Sequence, residues 1–305
     1  MAVADDLAMG SATILQTIEQ AISAATGEDF RIRKTVAAGG GCINSAYRLE
    51  GEGRSFFIKL NRSDLLPMFE AEAEGLREIA ATQTVRAPEP VCFGIAGDQA
   101  YLAMEFLDLR SARGAADQLL GQRLAAMHGI SQAYFGWRRD NTIGSTPQPN
   151  SRSEDWVDFW ARSRLGFQLE LAAERGYGGG LQRKGEKLLE RLPILFAGHR
   201  PRPSLLHGDL WGGNYACDET GQPVLFDPAC YYGDREADLA MTELFGGFGS
   251  DFYAAYREAL PLDTGYAVRR ILYNLYHVLN HLNLFGGGYL GQAEGMMDRL
   301  LAEIG

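Results

Sequence analysis

Apolar periodicity changes character once along this 305-residue chain, near residue 108, and that change constrains the fold more than any other feature. Before it, Arg31–Val36, Ala46–Glu50 and Ser55–Leu60 are short runs separated by glycine clusters, the punctuation of β-hairpins. A helical segment, Pro67–Ala81, follows, and Ala87–Val91 leads into strand candidates at Val91–Phe93 and Ala100–Phe106. After Leu109, helical spacing dominates in Asp117–His128, Glu154–Glu174, Lys184–Leu192, Ala237–Leu244, Phe252–Leu260, Ala267–Phe285 and Gln292–Ile304. Between these, Ser204–Leu206, Tyr215–Cys217 and Val224–Phe226 suit a small hairpin, Arg138–Ser153 reads as a long connection, and Gly176–Gly180 as a flexible turn. The expectation is an α+β chain in two lobes. Residues 1–107 form a small antiparallel sheet with a helix, and residues 108–305 a larger, mainly helical lobe.

Charge narrows the function. With 29 basic and 39 acidic residues the net charge is −10, without the basic footprint that nucleic acid phosphates require. No uncharged apolar run approaches the ~20 residues that cross a bilayer, and the start lacks the positive region of a secretory signal. Cys42, Cys92, Cys217 and Cys230 form no closely spaced zinc set and suit reduced thiols. A cytoplasmic protein without nucleic acid or membrane partners is expected.

Chemistry concentrates in Leu205–Asn214 and Val224–Asp227. Asp209 and Asn214 are five apart, the separation in H-R-D-x-x-x-x-N loops, and Asp227 ends an apolar strand candidate. Phosphoryl transfer needs a carboxylate to orient the attacking hydroxyl and hard oxygens to hold Mg²⁺ against the phosphates; the plain alternative is that both aspartates are caps. Lys59, one of four lysines, sits in an apolar run and needs a partner if buried. Positions 69, 72, 73, 76, 79 and 80 share a helical face on which Glu72 is the sole charge, making Lys59–Glu72 the natural pair toward the ATP phosphates, while Glu70, Glu74 and Glu78 read as a solvated face. Gly39, Gly40 and Gly41 suit a phosphate-binding turn. Met104, Glu105, Phe106 and Leu107 fall at the lobe boundary, where adenine can bond to backbone groups or where an ordinary core strand can run.

Gly39–Ile43, Phe57–Lys59, Met68–Glu72, Leu205–Asn214, Phe226–Ala229, Tyr232–Glu236, Leu244–Phe248 and Asn280–Gly286 together resemble the fructosamine (ketosamine) kinase family. This family lies within the aminoglycoside and choline kinase-like superfamily with its protein-kinase-like fold, and the likeness runs from about residue 30 to 300. The resemblance implies an ATP- and Mg²⁺-dependent phosphotransferase that acts on O3 of a ketosamine; a small or a protein-bound glycated amine, and a monomer or a homodimer, all remain open. It implies Asp209 as catalytic base, Asn214 and Asp227 as Mg²⁺ ligands, and Lys59 with Glu72 as the ATP-phosphate pair. Gly208 stands where protein kinases carry Arg, and Asp227–Ala229 replaces Asp-Phe-Gly, which argues against activation-loop control.

Trp211 suits stacking on a sugar or packing in the core, and Asn280 and His281 suit a polar pocket lining or satisfied structural positions. His277 and His281 lack the third ligand a zinc site needs. Asp234 and Asp238 read as supports of the catalytic loop, and Cys42 as a redox switch or an inert thiol. Alternatives are a kinase for an aminoglycoside or another small alcohol, or a non-catalytic nucleotide-binding regulator. The −3 of residues 109–305 (20 basic, 23 acidic) does not favour a polycationic acceptor.

Overall fold

The computed structural model describes residues 10–39, 43–111 and 114–305. Five strands, β1 (Lys34–Ala37), β2 (Ser45–Glu50), β3 (Ser55–Arg62), β4 (Pro90–Ala96) and β5 (Gln99–Glu105), form an antiparallel sheet in the order β1-β2-β3-β5-β4. Two helices cover its faces: α1 (Gly10–Thr26) and α2 (Leu66–Ala81). Because side chains alternate along a strand, Phe56, Ile58 and Leu60 of β3 join Tyr101 and Ala103 of β5 and Ile18 and Ile22 of α1 in one core. Phe57 and Leu102 turn the other way, into the main core with Phe69 and Leu76 of α2. Lys59 has the parity of Phe57, and that places its ammonium under α2.

The remaining chain is mainly helical: α3 (Ala115–His128), α4 (Trp156–Trp160), a π-helical turn (Ala161–Gly166), α5 (Phe167–Glu174), α6 (Gly180–Leu195), α7 (Glu236–Leu244), α8 (Ser250–Ala259), α9 (Tyr266–Phe285) and α10 (Leu290–Glu303). α9 is buried around most of its circumference, as a central helix must be. Short strands connect the helices: β6 (Asn141–Ile143) with β7 (Thr146–Gln148), β8 (Ser204–Leu206) with β11 (Tyr231–Gly233), and β9 (Tyr215–Cys217) with β10 (Pro223–Leu225).

Most expected elements stand within a few residues of their predicted ends, with three departures. α1 has no counterpart in the sequence reading. The 138–153 connection contains the β6–β7 hairpin, and β8 pairs with β11 rather than with the β9–β10 hairpin.

The reading of Glu70, Glu74 and Glu78 as a solvated face is corrected. Arg138 Nε donates to Glu74 at 2.7 Å, and Arg139 donates to Glu74 at 2.9 Å and Glu70 at 3.1 Å. Glu78 accepts from Trp137 Nε1 at 2.7 Å and from the Tyr232 hydroxyl at 2.8 Å. These acids are the docking face of α2 against the helical part, and residues 60 or more positions away in sequence supply the opposite charge.

Candidate active site

The parity of β3 and the helical phase of α2 bring Lys59 and Glu72 together, Nζ to Oε1 at 2.5 Å, with both side chains buried. A second carboxylate reaches the same ammonium from the helical part: Asp227 Oδ1 lies 2.5 Å from Nζ. Burial alone would lower the lysine pKa, but the Asp227 and Glu72 carboxylates outweigh it and hold the ammonium well above its ordinary value. Asp227 has φ of +57°, a left-handed conformation unusual for a side-chain-bearing residue. Its carboxylate remains 45% exposed, so it serves Lys59 and still faces the cavity.

The loop after β8 carries Asp209. Gly208 has φ of +83°, and a Cβ there would stand 2.0 Å from the Ala229 carbonyl oxygen, so only glycine lets the two segments close. His207 ties them further: Ala229 N–H donates to its carbonyl at 2.8 Å, and its Nε2–H donates to Phe226 O at 3.0 Å. Burial lowers the His207 pKa, keeping the neutral ring whose Nδ1 accepts from Asp209 N–H. Asp238 accepts from the backbone N–H groups of His207 (2.7 Å) and Gly208 (2.9 Å) and from His128 Nε2. The loop is therefore held from beneath by a buried carboxylate. Asp234 stands one step back, accepting from His199, the Tyr273 hydroxyl and Glu236 N–H.

Asn214 Nδ2 donates to Asp209 O at 2.9 Å and Oδ2 at 3.2 Å, so its Oδ1 is the atom that could hold a cation. Burial, and then the charge of Asp227, push the Asp209 carboxyl up to about 7, while the Asn214 contact opposes the shift. The oxygens of Asn214 and Asp227 are the hard donor type that Mg²⁺ takes. Carboxylate, amide oxygen and ammonium thus converge where a phosphate chain and a hydroxyl can meet.

All five residues line one cavity of about 520 Å³, together with Trp211, Asn280 and His281. Trp211 is 40% exposed, its ring seated over Gly213, so it belongs to the wall and not to the core. Asn280 is buried and donates to Ile143 O at 3.3 Å. His281 Nδ1–H donates to His277 O at 2.7 Å within α9, and burial lowers the His277 pKa to about 3, which keeps that ring neutral.

Gly39 is described but does not line the cavity, whereas Ile43 and Asn44 just beyond it do. Gly40, Gly41 and Cys42 lie outside the described residues. Met104, Glu105, Phe106 and Leu107 run off the end of β5 and are not among the lining residues. Met104 is in the core, Glu105 N–H donates to Glu89 O at 2.9 Å, and the Phe106 ring lies under the Arg48 guanidinium at 4.1 Å.

Sequence reasoning missed Asn141, Thr142 and Gly144, which line the cavity from the unrecognised β6–β7 hairpin. It also missed a buried network behind them. Arg164, on the π-helical turn, donates to Pro149 O and Asn150 Oδ1, and Asn150 and Gln148 donate to Asn141 Oδ1. Asn141 and Gln148 in turn donate to the carbonyls of Cys230 and Ala229 beside Asp227. The concentration of Asn and Gln in 141–150 was the available signal.

The family model for fructosamine kinase matches residues 14–303. A probable ketoamine kinase of Synechocystis sp. is 48% identical over 94% of this chain and 96% of its own. A chloroplastic protein-ribulosamine 3-kinase of Arabidopsis thaliana is 45% identical over 90% and 85%. A crystal structure from Haemophilus somnus, provisionally named fructosamine-3-kinase, superposes with a TM-score of 0.88 at 27% identity, covering 96% of this chain and 99% of that one.

Proposed function

The chain belongs to the fructosamine kinase family, and from that premise we propose that it transfers the γ-phosphoryl group of ATP to O3 of a ketosamine, a sugar-modified amine, small or protein-bound. The observation that carries this reading is the meeting of Lys59, Glu72 and Asp227 at 2.5 Å with the Asp209–Asn214 pair on one cavity wall.

In this reading Asp209 accepts the proton of the attacking hydroxyl and orients its oxygen toward phosphorus. Lys59, kept cationic and aimed by Glu72, takes the α- and β-phosphates. Mg²⁺ held by Asn214 and Asp227 would supply the positive charge that offsets the negative charge on the transferring group. Asn214 Nδ2 keeps the Asp209 carboxylate in place, and its Oδ1 would be the atom that holds the cation. Trp211 offers a flat face to the sugar, and Asn280 and His281 offer polar groups to its remaining hydroxyls. The backbone of Phe106 and Leu107, in the segment after β5, would hold adenine, the Glu105 N–H being already engaged. The division at residues 107 and 108 separates the nucleotide-binding part from the catalytic and acceptor part.

ATP consumption measured with ribulosyl- and fructosyl-amines, aminoglycosides and choline tests the assignment. Turnover confined to the sugar-amines is expected. Turnover only on an aminoglycoside or choline would overturn the acceptor, and none anywhere would overturn the enzyme.

A further inference from the structure

Lys59, the buried cation of the site, is held by two carboxylates, whereas another buried cation has none. Arg164 is fully enclosed, and no carboxylate among the described residues pairs with it. It donates to the carbonyls of Pro149 (2.6 Å) and Ser163 (2.9 Å) and to Asn150 Oδ1 (2.7 Å). The rings of Tyr231 and Phe159 lie against the guanidinium, with centroids 4.0 and 4.7 Å away, and its Nε has no partner. A charge buried on such terms costs stability, and an apolar side chain of similar volume commonly costs less. Arg164 also sits in the π-helical turn Ala161–Gly166, a distortion that recurs at functional sites.

The arginine heads a chain of side-chain amides that runs to the peptides beside Asp227. A guanidinium only donates and a carbonyl only accepts, so each amide between the two has one orientation. Asn150 accepts from Arg164 and donates from Nδ2 to Asn141 Oδ1 at 2.8 Å. Gln148 donates to the same Oδ1 at 2.8 Å. Asn141 Nδ2 then donates to Cys230 O at 2.9 Å, and Gln148 Nε2 reaches Ala229 O at 3.2 Å. Every link carries the donor sense the same way, from the cation toward the segment that follows Asp227. That segment needs holding, because Asp227 keeps a left-handed backbone with φ of +57°. The same amides anchor the β6–β7 hairpin, and its residues 141–144 line the cavity together with residues 227–229.

We propose that Arg164 is a positioning residue for phosphoryl transfer: through Asn150, Asn141 and Gln148 it fixes the cavity wall at 141–144 and the peptides after Asp227 in one arrangement. The proposal rests on the kinase reading above and adds to it a residue outside the cavity. Removing the head of the chain leaves Asn150 Oδ1 and the Pro149 carbonyl buried without that donor, and the amides beyond them lose what holds their orientation. The wall and Asp227 then shift relative to each other, while the Lys59–Glu72 pair, on β3 and α2, keeps its contact.

The test uses Arg164→Met, which keeps an unbranched side chain against the two rings and removes the donors. Steady-state kinetics on a ribulosyl- or fructosyl-amine are read beside hydrogen exchange by mass spectrometry over residues 141–150 and 226–231, with α10 as the reference. In Arg164→Met, kcat is expected to fall about tenfold or more while KM for ATP stays within about threefold. Exchange over 141–150 and 226–231 is expected to quicken about tenfold or more, with α10 unchanged. Asn150→Asp gives the guanidinium a carboxylate partner but cannot donate to Asn141. It is expected to lose kcat to a similar extent, and it carries the test if Arg164→Met folds poorly. A kcat within about twofold of the native value in the folded variants would overturn the proposal. So would unchanged exchange over 226–231, or exchange that quickens equally in α10, since the arginine would then serve overall stability alone. No turnover by the native chain on any sugar-amine would overturn the kinase reading, and this proposal with it.

Discussion

In the proposed reaction Asp209 is the carboxylate that accepts the proton of the attacking hydroxyl. Replacing it with Asn keeps size and polarity but removes the base, so kcat is expected to fall by a factor of about 10²–10⁴. ATP affinity, measured by calorimetric titration, is expected to stay within about threefold, because Lys59, Glu72 and Asp227 are untouched. Near-normal turnover would remove the role. Gly208 is a harsher position: a methyl group there meets the Ala229 carbonyl oxygen at 2.0 Å on a backbone with φ of +83°. Gly208→Ala is expected to lower the urea unfolding free energy by on the order of 3 kcal/mol. At this scale the sequence was legible where spacing along one element sets a face. Lys59 on a strand and Glu72 on a helix meet because parity and phase are local properties. The role of Met104–Leu107 was not legible, since an apolar strand end reads the same whether it enters a cavity or a core.

Elements dock through contacts that no window of sequence contains. The acids on α2 look like an ordinary exposed face until Arg138 and Arg139 arrive from beyond residue 130. Each pair is partly exposed, and such pairs contribute about 0.2–1 kcal/mol. Their effect falls less on global stability than on where α2 presents Glu72. Arg139→Ala is expected to raise the KM for ATP by about 3–10-fold with a smaller change in kcat, and Arg139→Lys to restore part of it. Added salt is expected to raise that KM more steeply in the native chain than in Arg139→Ala. Equal salt dependence in steady-state kinetics would show that the ion pairs do not position the helix. α1 escaped notice although Ile14, Leu15, Ile18, Ala21 and Ile22 recur at helical spacing; its pattern was legible and unread. The β8–β11 pairing was not legible, because strands of three residues carry too little pattern to choose a partner.

Across the whole molecule, buried charge clusters tie folding to pH. His199 donates from Nε2 to Asp234 at 2.7 Å and from Nδ1 to Asp263 at 2.8 Å, a double engagement only the imidazolium can make. Burial works against the charge, but the Asp234 contacts prevail and raise the pKa above its ordinary 6.5. Asp263 also accepts from Arg269, as does the neighbouring Glu236, so the positive charge this cluster calls for comes from the chain itself. With the folded pKa above the unfolded one, the stabilisation is complete below about pH 6.5 and disappears as pH rises through the folded value. The difference in melting temperature between the native chain and His199→Gln is therefore expected to be largest near pH 5.5–6 and to shrink by pH 9. A constant difference would mean that the histidine folds uncharged.

The ammonium of Lys59 holds two carboxylates, one from each part of the chain, and α2 is tethered through Arg138 and Arg139. The lysine–glutamate pair therefore depends on docking between the sheet part and the helical part: whatever loosens the arginines from α2 also loosens the grip on the ammonium.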